Sequence, residues 1–405
     1  MKQPSIQDSA AETRLPASVV SAAVTAAVVG FGSSVAIVLA ATRAVGATPL
    51  QSTVWVAALC IGISATSLLL SLRTRQPIIT AWSTPGAALI AANAGDIGFA
   101  EALGAFAFAG LLMLLVALVR PFGRLVERIP GPLASAMLAG ILVDYCLQVV
   151  GAAGEAPAFV LPLVLLFLIV RLRSPNLAIP LALGAGLAMA LTQGHIAAEC
   201  CTLAVPQFAV FVPAIELSAL LGLGVPLFIV TLVSQNLAGV AVLAADGFRP
   251  SARASFATTG AASLLLVPFG AHGVSLAAIT AAICTGPDCH ADQGRRWLAG
   301  PVYALCYLLL AVFAGFFVEL LLALPHVLIT TVAGLALFGP LRGALASALS
   351  GDSRQLDAAA LTFVVAASGV GFLGISAAIW GLGVGLLVLG LQALLRRPVA
   401  DRPDG

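Results

Sequence analysis

Residues Pro77–Ala92, PIITAWSTPGAALIAA, form an apolar stretch of membrane-spanning character, interrupted in its middle by Trp82-Ser83-Thr84-Pro85-Gly86. A bilayer core offers no water to an unpaired backbone group. Such a break survives only where protein buries it or where it lines a cavity. Ser83 and Thr84 are natural N-caps and Pro85 a natural first-turn residue, which predicts a half-helix beginning there. Its free N–H groups and positive dipole end then face an anion at membrane depth. Interrupted spans of this kind mark transporter sites.

The rest of the chain is built for the same environment. Apolar residues make up 60% and charged residues 9% of 405 positions, which excludes a soluble globular domain. A β-barrel is excluded because its strands alternate apolar and polar residues, whereas these runs are apolar throughout. Fourteen apolar runs fall near 17–42, 49–71, 77–95, 99–119, 130–150, 157–171, 177–193, 214–245, 254–267, 268–285, 297–322, 325–341, 357–373 and 375–395. The fold expected is an all-α polytopic membrane protein with 14 transmembrane segments, two of them broken. Segment 1–16 is polar and too weakly basic for a signal peptide, and the first apolar run is long enough to remain as a span.

An even number of crossings places both tails, 1–16 and 396–405, on one face. With that face cytoplasmic, the 19 basic residues all fall inside except Arg43, a strong bias in the sense of the positive-inside rule. The bias also tests the break. If 77–95 did not cross, Arg120, Arg124 and Arg128 would move to the outer face. Six extended residues at about 3.3 Å and ten helical ones at about 1.5 Å reach ~35 Å, enough for a ~30 Å core.

The second half repeats the first. IPGPLASAMLAGIL (129–142) is echoed by LPHVLITTVAGLAL (324–337), and the broken segment by VPFGAHGVSLAAITAAI (267–283). Seven spans in each of 17–210 and 211–395 give the halves opposite orientation, a 7+7 inverted repeat. Both half-helices then start near the midplane, and their extended halves are expected to pair as short antiparallel strands.

On TAWSTPGAALIA (80–91), IPGPLASAMLAGIL, PLFIVTLVSQNLAGVAV (226–242), PFGAHGVSLAAITAAICTGPDCH (268–290) and SGVGFLGISAAIWGL (368–382), the chain resembles the benzoate:proton symporter (BenE) family. The resemblance covers nearly the whole chain. It implies a fold similar to nucleobase permeases and sulfate-type anion exchangers. Spans 1–4 and 8–11 then form a core, and spans 5–7 and 12–14 a gate through which homodimers often form. Nucleobase permeases of this fold carry an acid on span 8, where this chain reads Ser234-Gln235-Asn236. Neutral amides suit an anionic substrate, which a neighbouring carboxylate would repel.

The candidate substrate-binding residues are Trp82, Ser83, Thr84 and Gly86 at the first break, and Gly273 and Ser275 at the second. Ser33 on span 1 and Gln235 and Asn236 on span 8 complete the set. Each has a structural alternative: cap, packing anchor or helix–helix glue. His272 lies at membrane depth beside a break and titrates near neutral pH. It reads either as the proton carrier or as a neutral ring bonded to backbone, with Asp144 the reserve coupling residue.

The function expected is proton-coupled import of a benzoate-like aromatic carboxylate across the inner membrane. The alternatives are a passive channel or facilitator for small anions, or a transporter of another organic anion. No hydrolase, zinc-protease or phosphate-loop pattern is present, which argues against an enzyme. Cys284, Cys289 and His290 lack a second pair of ligands, so no metal or other cofactor is expected. The expected partners are the substrate, protons and the lipid bilayer, and not nucleic acid.

Overall fold

The computed structural model describes residues 15–95, 97–121, 130–175, 177–193, 209–371 and 376–395. Lys2, Arg14, Arg124, Arg128, Arg396, Arg397 and Arg402, which contribute to the sidedness argument, lie outside the described residues.

Among the described residues the chain is helical or irregular apart from one pair of short strands. The first half runs α1 (Ala17–Ala44), α2 (Pro49–Thr74), β1 (Thr80–Trp82), α3 (Thr84–Asn93), α4 (Phe99–Leu118), α5 (Gly131–Glu155), α6 (Pro157–Arg173) and α7 (Ala178–Thr192). The second runs α8 (Leu217–Ala245), α9 (Ala252–Leu266), β2 (Val274–Leu276), α10 (Ile279–Thr285), α11 (Ala299–Val312), α12 (Ala314–Leu322), α13 (His326–Ala348), α14 (Ser353–Ala367) and α15 (Ala377–Leu395). Among the described residues seven helices (α1, α2, α4, α5, α8, α13 and α15) are each long and apolar enough to cross a bilayer.

Local chemistry sets the boundaries. Thr48 and Gln51 form a reciprocal capping box at the start of α2, with Pro49 in the first turn. Ser83 is the N-cap of α3, its Oγ accepting from the Gly86 N–H at 3.0 Å. The expected single run 297–322 is instead bent by 58° between α11 and α12. Phe313 leaves helical geometry there (φ −93°, ψ 9°), ending one helix and capping the next.

The helix α8 departs from a regular ladder in two places, with π-type turns over Leu220–Gly224 and Leu232–Leu237. A π-turn inserts an extra residue and rotates the remainder of the helix, and such bulges favour functional sites. The second one contains Ser234, Gln235 and Asn236.

Two groups of helices emerge from the packing. The helix α5 lies along α13 and α14, and α14 along α15. In the other group α2 packs on α11, α4 on α9, and α1 on α3 and α11. The strand pair sits inside this second group.

Strands β1 and β2 pair antiparallel, with Thr80 opposite Leu276, Ala81 opposite Ser275 and Trp82 opposite Val274. The pairing expected of the two extended segments is thus observed. A two-stranded ribbon leaves two outer edges, and buried unpaired amides are costly. Side chains from neighbouring helices close both. Ser67 Oγ accepts from the Thr80 N–H at 3.0 Å. On the other edge Ser263 Oγ accepts from the Val274 N–H at 3.0 Å, and Asn236 Oδ1 from the Leu276 N–H at 2.9 Å.

Candidate functional site

The ribbon delivers the N-terminus of α3 and the start of α10 to a common cavity of about 670 Å³. Ser33 and Ser34 of α1, Trp82, Thr84 and Pro85 line one part of it. Ser234 and Gln235 of α8, Thr280 of α10 and Tyr307 of α11 line another. The remaining wall comes from the other helix group, with Ser135 of α5, Arg171 of α6, and Arg342 and Ser347 of α13. The cavity therefore lies between the two groups, and its volume falls within the ~300–1,000 Å³ usual for small-molecule sites.

Trp82 is held as a wall rather than a loose ring. Its Nε1 donates to Ser34 Oγ at 2.8 Å, and Ser34 Oγ donates to the Gly30 carbonyl at 2.6 Å. Phe31 and Tyr307 flank it, with ring centroids at 5.7 and 6.2 Å. The result is an aromatic surface beside the half-helix N-terminus.

The structure divides the expected site residues into two sets. Trp82, Thr84, Ser33 and Gln235 reach the cavity. Ser83, Gly86, Asn236, Gly273 and Ser275 stand behind it and shape it. Ser83 is buried by its capping bond, and a Cβ on Gly86 would lie 2.8 Å from Ser83 Oγ. Asn236 is fully buried, its Oδ1 committed to β2 and its Nδ2 against Met113 Sδ at 3.2 Å. Gly273 adopts φ +120°, a conformation L side chains rarely take, and Ser275 Oγ donates to the Ala81 carbonyl at 3.3 Å.

Neither expected coupling residue lines the cavity. The Trp55 indole N–H donates to His272 Nδ1 at 3.1 Å. An indole can only donate, so Nδ1 is unprotonated and Nε2 carries the single proton. Nε2 faces the Ser83 carbonyl at 3.3 Å, which accepts from it. His272 is thus a neutral brace from Trp55 to the α3 cap, and protonating it would set two N–H donors against each other. Asp144 is exposed on α5, accepting from Gln148 Nε2 at 2.9 Å.

Sequence reasoning assigned Arg171 and Arg342 to topology alone, yet both line the cavity. The Arg171 guanidinium stacks over Phe167 and Phe338 at 5.4 and 4.9 Å. Among the described lining residues these are the charged ones, and both are cationic, so the field at the mouth favours an anion.

The comparisons agree with this architecture. Among solved structures, the transmembrane domain of a cyanobacterium bicarbonate transporter, BicA, superposes with a TM-score of 0.58 at 16% identity, covering 92% of this chain and 97% of that one. SLC26A9 superposes with a TM-score of 0.65 at 10% identity, covering 93% of this chain and 66% of that one. At such identity the likeness is one of fold.

Sequence relatives are nearer. Inner membrane protein YdcO of Escherichia coli (strain K12) is 36% identical over 371 residues, 91% of this chain and 95% of the relative. The benzoate membrane transport protein of Acinetobacter baylyi is 35% identical over 335 residues, 82% of this chain and 84% of the relative. These relatives mark a membrane transporter and not an enzyme. The match to the family described as benzoate membrane transport protein runs over residues 13–391, and the chain belongs to that family, BenE.

Proposed function

We propose that this protein imports benzoate or a similar aromatic carboxylate together with a proton across the inner membrane. The observation that carries this reading is the cavity between the two helix groups, where an aromatic wall meets the N-terminus of α3 and cationic side chains stand at the mouth. The positive end of the half-helix dipole favours a carboxylate, and the Trp82 surface suits a ring.

The architecture proposed is fourteen spans in a 7+7 inverted repeat, 17–210 and 211–395, with both tails cytoplasmic. Each broken span is a strand plus a half-helix: β1–α3 and β2–α10. The ribbon-bearing group, spans 1–4 and 8–11, is the core. Spans 5–7 and 12–14 are the gate and the surface for pairing two copies, the division found in nucleobase permeases. Arg171 and Arg342 lie on the cytoplasmic side in this scheme, so the cavity described is open inward, and rocking of core against gate gives alternating access.

A carboxylic acid with a pKa like that of a glutamate side chain, about 4.3, is anionic at neutral pH. Importing the anion alone opposes an inside-negative potential by ~2.3 kcal/mol per 100 mV. One accompanying proton removes that opposition, and each unit of inward pH gradient adds about 1.4 kcal/mol of drive. No acid or histidine stands among the described lining residues, so the cavity wall itself offers no group that titrates near neutral pH. His272 stays neutral.

The test of the carrier mechanism is counterflow in proteoliposomes. Vesicles preloaded with unlabelled benzoate should transiently concentrate labelled benzoate above the external level, with saturable kinetics. Flux that rises linearly with benzoate, with no overshoot, would instead identify a passive channel.

A further inference from the structure

Arg171 on α6 and Arg342 on α13 face one another across the gate-side wall of the cavity, near enough that their charges repel. Among the described residues neither guanidinium has a carboxylate or a hydrogen-bond partner. Two cations held together without a counter-charge make a local field that an anion relieves. A pair placed only for sidedness has no need to share a cavity wall.

The local geometry leaves room for that anion. The Arg171 guanidinium lies over the rings of Phe167 and Phe338, which restrain it and leave its N–H groups to in-plane acceptors. Gly339, one turn before Arg342, lines the cavity beside it. A Cβ on Gly339 would lie 3.8 Å from both Nη1 and Nη2 of Arg171, with nothing else within 4 Å. Gly343, just beyond Arg342, also lines the cavity, and a Cβ there would meet nothing within 4 Å. The two terminal nitrogens thus border open cavity, the arrangement in which a guanidinium takes a carboxylate through two parallel bonds.

We propose that Arg171 and Arg342 form a second carboxylate site, carried by the gate at the inner mouth, which receives the substrate as it leaves the half-helix site on the core. This rests on the transport reading above and adds a release station to it. The two sites share one cavity, so the anion passes from the α3 dipole to the arginine pair without crossing an apolar barrier. The pair meets substrate only from the cytoplasmic side, so its effect is one-sided.

The experiment measures benzoate flux from each face, using inside-out and right-side-out membrane vesicles that carry wild type, Arg171→Gln, Arg171→Lys or Arg342→Gln. Both glutamine variants should raise the half-saturating benzoate concentration at the inner face about tenfold, as expected for losing a bond to a charged group. The outer-face value should stay within twofold, and maximal flux should not fall, because only ground-state binding is lost. Arg171→Lys keeps the charge without the fork and should fall between. An unchanged inner-face value in Arg171→Gln would overturn the assignment. So would equal rises at both faces with reduced maximal flux, which marks damage to the fold. A rise confined to membranes containing anionic lipid, and absent from reconstituted phosphatidylcholine vesicles, would assign the pair to lipid headgroups instead. Wild type that carries no benzoate from either face would sink the transport reading, and this site with it.

Discussion

Replacing Asn236 by Leu should destabilise the protein by about 1–3 kcal/mol, the penalty for stranding a buried donor. Asn236 Oδ1 is the acceptor for the Leu276 N–H, on the outer edge of β2 and fully enclosed. Among the described residues no further strand is available to take over that amide, and lipid offers no partner. Because β2 leads directly into α10, the loss should also reduce benzoate binding. Gln235→Leu is the control. Gln235 lines the cavity, so its removal should alter affinity while stability stays within about 0.5 kcal/mol. Chemical denaturation in detergent, paired with benzoate binding, separates the two. Equal stability losses for these adjacent amides would contradict the division of roles.

Gly30→Val should block the site. The new Cβ already falls 2.9 Å from Tyr307 Oη and Thr280 Cγ2, closer than unstrained side chains approach, and two further methyls project from it. Overpacking of this kind is worth about 1–3 kcal/mol, which corresponds to roughly tenfold to hundredfold weaker binding when expressed at the site. The position is in the middle of α1, where valine is a tolerable helix former in an apolar setting. The expected result is a folded, membrane-inserted protein with benzoate uptake lost. Uptake within twofold of wild type would show that substrate does not approach this wall.

Much of the site was legible because the bilayer makes irregularity expensive. Proline, glycine and serine at 83–86 inside an apolar run can only mean a protected break, and the second break at Gly270–Ser275 comes from the repeat. Two breaks in turn imply the antiparallel ribbon, since the extended backbone must find partners. What sequence could not show was direction. Gln235 and Asn236 are chemically alike, but neighbouring helix positions point about 100° apart, so one reaches the cavity and the other β2. Which of the two faces the cavity depends on packing, not on residue type.

His272 was ambiguous for a related reason. Its partner Trp55 lies 217 positions away, and that bond makes Nδ1 the accepting ring nitrogen. Arg171 and Arg342 satisfy the sidedness rule so well that it masks their second role. Ser67 and Ser263, which close the ribbon edges, carry no signal beyond being hydroxyls at membrane depth.

The most direct measurement is uptake of labelled benzoate into proteoliposomes, inside alkaline, with and without an uncoupler. The account predicts accumulation that grows with the pH gradient, collapses when the uncoupler is added, and persists in His272→Gln. Accumulation indifferent to the gradient and to the uncoupler would contradict proton-coupled import.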